Sequence, residues 1–127
     1  MKSNARSKCP FCNISSDEIV AENLYWVLVM DKYPVNKGHM LAIPKHHVMT
    51  AITLVNEIPY LHDILNHARV YLRAKFRAQG FNIGINEGEV AGQTIDHLHV
   101  HIIPRYAGDV QDPRGGIRNI KKPVVEH

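Results

Sequence analysis

Long apolar runs are missing from this chain: no stretch approaches the roughly 20 residues needed to span a bilayer, which excludes a membrane-spanning helix. The opening segment, MKSNARSKCP, is basic but has no apolar core, so it does not read as a secretory signal, and a cytoplasmic location is the default expectation. Cysteine is scarce, two in 127 residues, and without such a signal a structural disulfide is not expected. Strong charge of one sign is absent too. A net charge of +3 and a pI near 9.0 fit an anionic ligand. With no lysine- and arginine-rich helix and no RNA-binding signature, however, nucleic acid is not an expected partner. No internal repeat, low-complexity segment or magnesium-type carboxylate cluster is present. A chain of 127 residues with 45% hydrophobic and 21% charged residues is a single domain with one core.

Histidine, by contrast, is plentiful, at nine residues. Three of them fall within residues 92–105, GQTIDHLHVHIIPR, where His97, His99 and His101 alternate with Leu98, Val100 and Ile102. Alternation is the period of a strand, in which side chains two apart share a face and each such step advances about 6.6 Å. The pattern predicts an exposed row of three imidazoles over an aliphatic, core-facing row, ended by Pro104, which has no N–H to donate. Such a row reads as a metal face, as a nucleophile with phosphate-holding neighbours, or as a solvated strand face. The upstream Gly92, Gln93 and Thr94 favour phosphorus chemistry, offering close backbone approach, an amide and a hydroxyl.

The segment HLHVHII resembles the signature of the histidine triad (HIT) family, in which three histidines alternate with apolar residues, and Gly92-Gln93-Thr94 fits that family's loop. The resemblance runs over roughly residues 9–105. It implies an α+β fold, with a five-stranded antiparallel sheet, one long helix and an extended C-terminal tail. It also implies a nucleotide hydrolase or transferase that works through a nucleotidylated histidine. By match to the motif the nucleophile is His99. The same resemblance puts Asn86 in a phosphate site with Gln93 and Thr94, gives Asp31 to the ribose hydroxyls, and implies a homodimer.

Cys9 and Cys12 form a C-P-F-C pair. A redox pair would need a helix to follow within a βαβ unit, which is not seen. Half a zinc site is the better reading, with buried reduced cysteines as the alternative. Zinc-bearing relatives in the superfamily complete such a pair with a histidine from a Pro-Lys-x-His segment and the first triad histidine. The resemblance therefore implies zinc on Cys9, Cys12, His47 and His97.

Elsewhere, periodicity predicts strands at residues 18–21, 26–30, 38–43 and 81–86, a helix over residues 59–78, and the triad strand as the fifth. Pro59 suits the first helical turn and Gly80 the position just past the end. Strands, one helix and then strands argue independently for an α+β fold. Single-domain organisation follows, with an N-terminal extension (1–8), a core (9–105) and a tail (106–127). Asp31 also reads as a turn aspartate capping its own backbone, His39 as a core histidine or a supporter of the site, and His62 and His67 as surface residues. Arg105, Arg114 and Arg118 either meet phosphates or belong to a solvated tail.

In the mechanism these residues suggest, His99 attacks the α-phosphorus while its other ring nitrogen donates to a backbone carbonyl. His101 bonds phosphate oxygens, Gln93 follows the leaving group, and Gln93 and Thr94 stabilise developing charge. The expected substrate is a purine nucleotide or dinucleoside polyphosphate, towards which the Pro-Arg-x-x-Gly-Asp run at residues 104–109 leans. A phosphoramidase of the same family, a zinc-dependent hydrolase with the three histidines as ligands, and a non-enzymatic nucleotide-binding module are the alternatives.

Overall fold

Two short apolar segments form the centre of the molecule, and each is buried on both sides. In the computed structural model, which describes residues 8–51 and 55–121, β1 is Ile19–Glu22, β2 Trp26–Met30, β3 Met40–Pro44, β4 Gly80–Ile85 and β5 Val100–Arg105, with one long helix, α1, at Ile58–Phe76. The strands form one antiparallel sheet in the order β1-β2-β3-β5-β4. This is the expected α+β arrangement.

Alternation sorts the side chains. On one face Trp26, Leu28, Met40, Ala42, Val100 and Ile102 pack with Ile64, Ala68 and Leu72 of α1. On the other, Val27, Val29, Leu41 and Ile43 pack against Phe11 and Ile14 of the N-terminal segment. All five residues of β3 are buried as a result. Each fully buried Leu or Ile contributes on the order of 2 kcal/mol.

Most boundaries shift by one or two residues from the sequence reading, β5 runs through Pro104 to Arg105, and three differences have a local reason. Helix α1 ends at Phe76, because Arg77 takes the left-handed conformation, with φ 60°. The N–H of Arg77 donates to Arg73 O (3.1 Å), the bond of a left-handed C-cap, and that of Ala78 donates to Leu72 O (3.2 Å). Gly80 therefore opens β4 instead of capping the helix. Strand β3 begins at Met40, since Gly38 (φ 91°) makes the turn before it. A Cβ there would come within 3.0 Å of Leu72 and 3.2 Å of Phe76 and Pro104. The third difference is β5, which begins only at Val100. Before it the chain is turned, with His97 N–H donating to Ile95 O (2.8 Å) and Leu98 N–H to Val48 O (2.6 Å).

The tail folds back, carrying a 3-10 turn at Gly116–Arg118 that rests against β4. Among the described residues no helix is long and apolar enough to cross a membrane.

Candidate active site

The late start of β5 divides the three triad imidazoles. Leu98, Val100 and Ile102 enter the core as predicted, but the histidines are not an exposed row. His97 is 0% and His99 7% exposed, and only His101 is half-buried. Because His97 sits in the turn before the strand, its ring swings toward the N-terminal cysteines, while His99 and His101 stay together, ring centroids 5.1 Å apart.

Each ring is oriented by main-chain groups or by another ring. His99 Nδ1 lies 2.8 Å from the carbonyl of His97, to which it donates, so Nε2 is left with a bare lone pair. His97 Nε2 donates to Pro44 O (2.9 Å), leaving Nδ1 bare toward the cysteines. The N–H of Val35 donates to His39 Nδ1 (3.1 Å), so the proton of His39 sits on Nε2. That Nε2 is 2.9 Å from His101 Nδ1 and 3.3 Å from Asp31 Oδ2. His101 therefore accepts at Nδ1 and carries its own proton on Nε2, free to donate to an anion. Burial, above all, holds the pKa values of His39, His97 and His101 below the ordinary histidine range. For His101 the neighbouring His99 and His39 push the same way, and Asp31 opposes them at His39 and His101. At neutral pH these three imidazoles are therefore uncharged.

Cys9, Cys12, His47 and His97 place one ligand atom each within 4.8 Å of one another. Cys9 Sγ and Cys12 Sγ each lie 3.5 Å from His97 Nδ1, and Cys12 Sγ lies 3.0 Å from His47 Nδ1. A tetrahedral zinc with ordinary Zn–S and Zn–N bonds separates its sulfur and nitrogen ligands by about 3.6 Å. Donor types, the bare Nδ1 of His97 and the two 3.5 Å spacings fit such an ion, around which the 3.0 Å Cys12–His47 pair would open. A second grouping joins Asp31, His39 and His101. His97 and His101 thus belong to separate groupings, neither of which includes His99, so the three triad rings do not converge as one ligand set.

A cavity of about 400 Å³ opens beside the histidines, lined by Phe11, Ile14, Val29, Asp31, Leu41 and Ile95 among others. Asp31 is the turn aspartate of its second reading, with Oδ1 accepting the N–H of Tyr33 (2.8 Å), while Oδ2 reaches His39. Asn86 lies just past β4 and beside Gly92, whose φ is 95° and whose Cβ position would be 4.0 Å from Asn86 Nδ2. Thr94 is exposed. Gln93 is buried with its amide bonded into the loop: Oε1 accepts from Gly88 N (2.8 Å), and Nε2 donates to Ile95 O (3.1 Å) and Met49 O (3.4 Å). Arg105 and Arg114 are each engaged by a carboxylate of the tail. Arg105 holds Asp109 through two 2.8 Å bonds and Asn82 through one of 2.6 Å, and Arg114 holds Asp112. His62 and His67 are at the surface.

Sequence reasoning undervalued His39, which is both a core residue, 2% exposed, and the partner of His101. It missed Phe11 altogether. The edge of that ring packs on His99, with centroids 4.9 Å apart. An aromatic between two metal-type cysteines was the available signal.

The HIT domain family model matches residues 14–108. Protein hit of Bacillus subtilis is 38% identical over 104 residues, covering 77% of this chain and 71% of its own length. AP-4-A phosphorylase of Mycobacterium tuberculosis is 35% identical over 114 residues, covering 84% of this chain and 58% of its own. Among solved structures, a Zn-bound histidine triad family protein from Mycobacterium smegmatis superposes with a TM-score of 0.73 at 32% identity, covering 82% of this chain and 79% of that one. The site described above lies within or beside the matched span, and the chain belongs to the HIT family.

Proposed function

We propose that this chain is a nucleotide hydrolase or transferase that cleaves at the α-phosphate through a covalent nucleotidyl-histidine on His99. The observation that carries the reading is the 2.8 Å bond from His99 Nδ1–H to the carbonyl of His97, which leaves Nε2 unprotonated in a buried site. In the first step Nε2 attacks the α-phosphorus, a phosphorus–nitrogen bond forms, and the phosphorus–oxygen bond to the leaving phosphate breaks. In the second, water forms a phosphorus–oxygen bond and releases its proton to solvent, while the phosphorus–nitrogen bond breaks and its electron pair returns to Nε2. His101 donates Nε2–H to a phosphate oxygen, and His39 holds it in the tautomer that can do so. Asn86, Gly92 and Thr94 face the phosphates. Gln93 serves the leaving-group side once substrate displaces its longest bond, the 3.4 Å one to Met49 O. The cavity beside Phe11 takes the nucleoside, with Asp31 toward the ribose.

Cys9, Cys12, His47 and His97 hold zinc, which when bound supplies a structural tie and no part of the chemistry. Thiols fit for a metal suit a reducing compartment, the cytoplasm. Among the described residues β4 is an edge strand, with Ile85 exposed beyond the part the tail turn rests on, which supports a homodimer formed along that edge. The similarity to AP-4-A phosphorylase supports a dinucleoside polyphosphate as substrate. A panel of diadenosine polyphosphates against adenosine phosphoramidates separates that choice from a phosphoramidase.

Brief mixing with a labelled nucleotide substrate and an alkaline quench tests the mechanism. Label is expected on the peptide containing His99, lost in mild acid, where the nitrogen is protonated, and absent from His99→Ala. Rapid turnover with no adduct at any time point would point to direct attack by water and against this reading.

A further inference from the structure

Phe11 joins the two halves of this site. It sits between Cys9 and Cys12 in a tight turn closed by Cys12 N–H to Cys9 O (3.2 Å), and Asn13 Nδ2 donates to the same carbonyl (2.8 Å). Its ring lies edge-on to His99 at 4.9 Å and to His97 at 5.9 Å, and lines the cavity with Val29 and Leu41. The turn that would grip a metal thus holds a wall of the cavity and backs the nucleophile. Its ties to the body include apolar packing by Phe11 and Ile14 and the contacts from the two sulfurs to His97 and His47.

A second route runs through His97, whose Nδ1 faces the sulfurs while its carbonyl accepts from His99. A thiol–imidazole contact of 3.0–3.5 Å is a weak restraint. Metal–ligand bonds would fix both routes firmly.

We propose that Phe11 is a positioning residue through which metal occupancy of the cysteine–histidine cluster raises affinity for the nucleoside monophosphate part of the substrate. Metal and nucleotide then bind with positive coupling, and the coupling is reciprocal: the nucleotide tightens the metal by the same factor. The inference rests on the zinc and nucleotide readings above.

The test uses the whole chain, with adenosine 5′-monophosphate and Zn²⁺ as probes. Calorimetry on zinc-loaded protein and on chelator-stripped protein gives the nucleotide Kd in each state. A chromophoric chelator, titrated with and without the nucleotide, gives the zinc affinity. The expected result is a nucleotide Kd about tenfold weaker after stripping, within the range ordinary for coupled sites. Zinc should bind tighter by the same factor in the presence of nucleotide. Phe11→Ala should keep one zinc per chain, bind nucleotide weakly, and lose most of the mutual effect, which Phe11→Tyr should restore.

Equal nucleotide affinity with and without zinc overturns the coupling alone, as does Phe11→Ala that retains the full mutual effect. Loaded protein that binds no nucleotide overturns the nucleotide reading and the coupling with it. Should stripping unfold the chain, the chelator titration on folded, loaded protein decides: zinc affinity unmoved by nucleotide overturns the proposal.

Discussion

At the scale of single residues, the site is a problem in proton placement. His99→Ala removes the one triad imidazole whose bare nitrogen is directed away from the cysteines and unclaimed by another ring. Turnover is expected to fall by several orders of magnitude while nucleotide binding persists; a steady-state assay beside a binding isotherm checks both. His39 and His101 give a second expectation. Their folded pKa values lie below the unfolded histidine value of about 6.5. Between those values the unfolded chain binds more protons, so stability rises with pH. This contribution is fully present above about pH 6.5 and is lost as pH falls toward the folded values. Thermal melts from pH 8 to pH 5 should show a steeper acid loss for wild type than for His39→Gln. Both carry the same metal ligands, so the acid sensitivity of the cluster cancels in the difference.

At the scale of elements, the alternating rows made the strands and the helix legible, because burial of one face is written directly into periodicity. The points that escaped depend on neighbours the sequence does not display. Whether His97 lies on a strand depends on the turn bonds to Ile95 and Val48, and whether Gly80 caps the helix depends on Arg77 accepting a left-handed backbone. That strain is testable. Arg77→Gly should stabilise the protein by about 1 kcal/mol, raising Tm by roughly 4 °C, with no change in activity. The Pro-Arg-x-x-Gly-Asp run gains a structural role as well. Asp109, held well below the usual carboxylate range chiefly by Arg105, accepts from Arg105, Tyr106 N–H and Asn36 Nδ2. Tyr106 Oη also donates to Lys37 O (2.7 Å). The end of β5 is thereby clasped to the turn that carries Val35 and His39. The run read as a marker of substrate class also braces the site from behind.

At the scale of the whole molecule, the metal-type cluster, Phe11 and Ile14 join the N-terminal turn to the rest of the chain. Cys9→Ser should lower both zinc content, by elemental analysis, and Tm, because a closed four-ligand site contributes to folding. An unchanged melt in a protein that never carried metal would leave the pair as packing only. The proton pattern across the site has a different kind of anchor. The carbonyl of His97, the carbonyl of Pro44 and the N–H of Val35 settle which nitrogen is protonated on His99, His97 and His39 in turn. These are peptide groups, and no codon change deletes a carbonyl; of the three positions, only proline at residue 35 would remove its group. Substitution around the site can therefore drift without altering which ring atom is basic, so long as the chain keeps its path. Heritable damage to the nucleophile's protonation has to come through displaced backbone, by an insertion, a deletion or a misplaced turn. Replacing a single amide by an ester is the chemical change that would reach it directly.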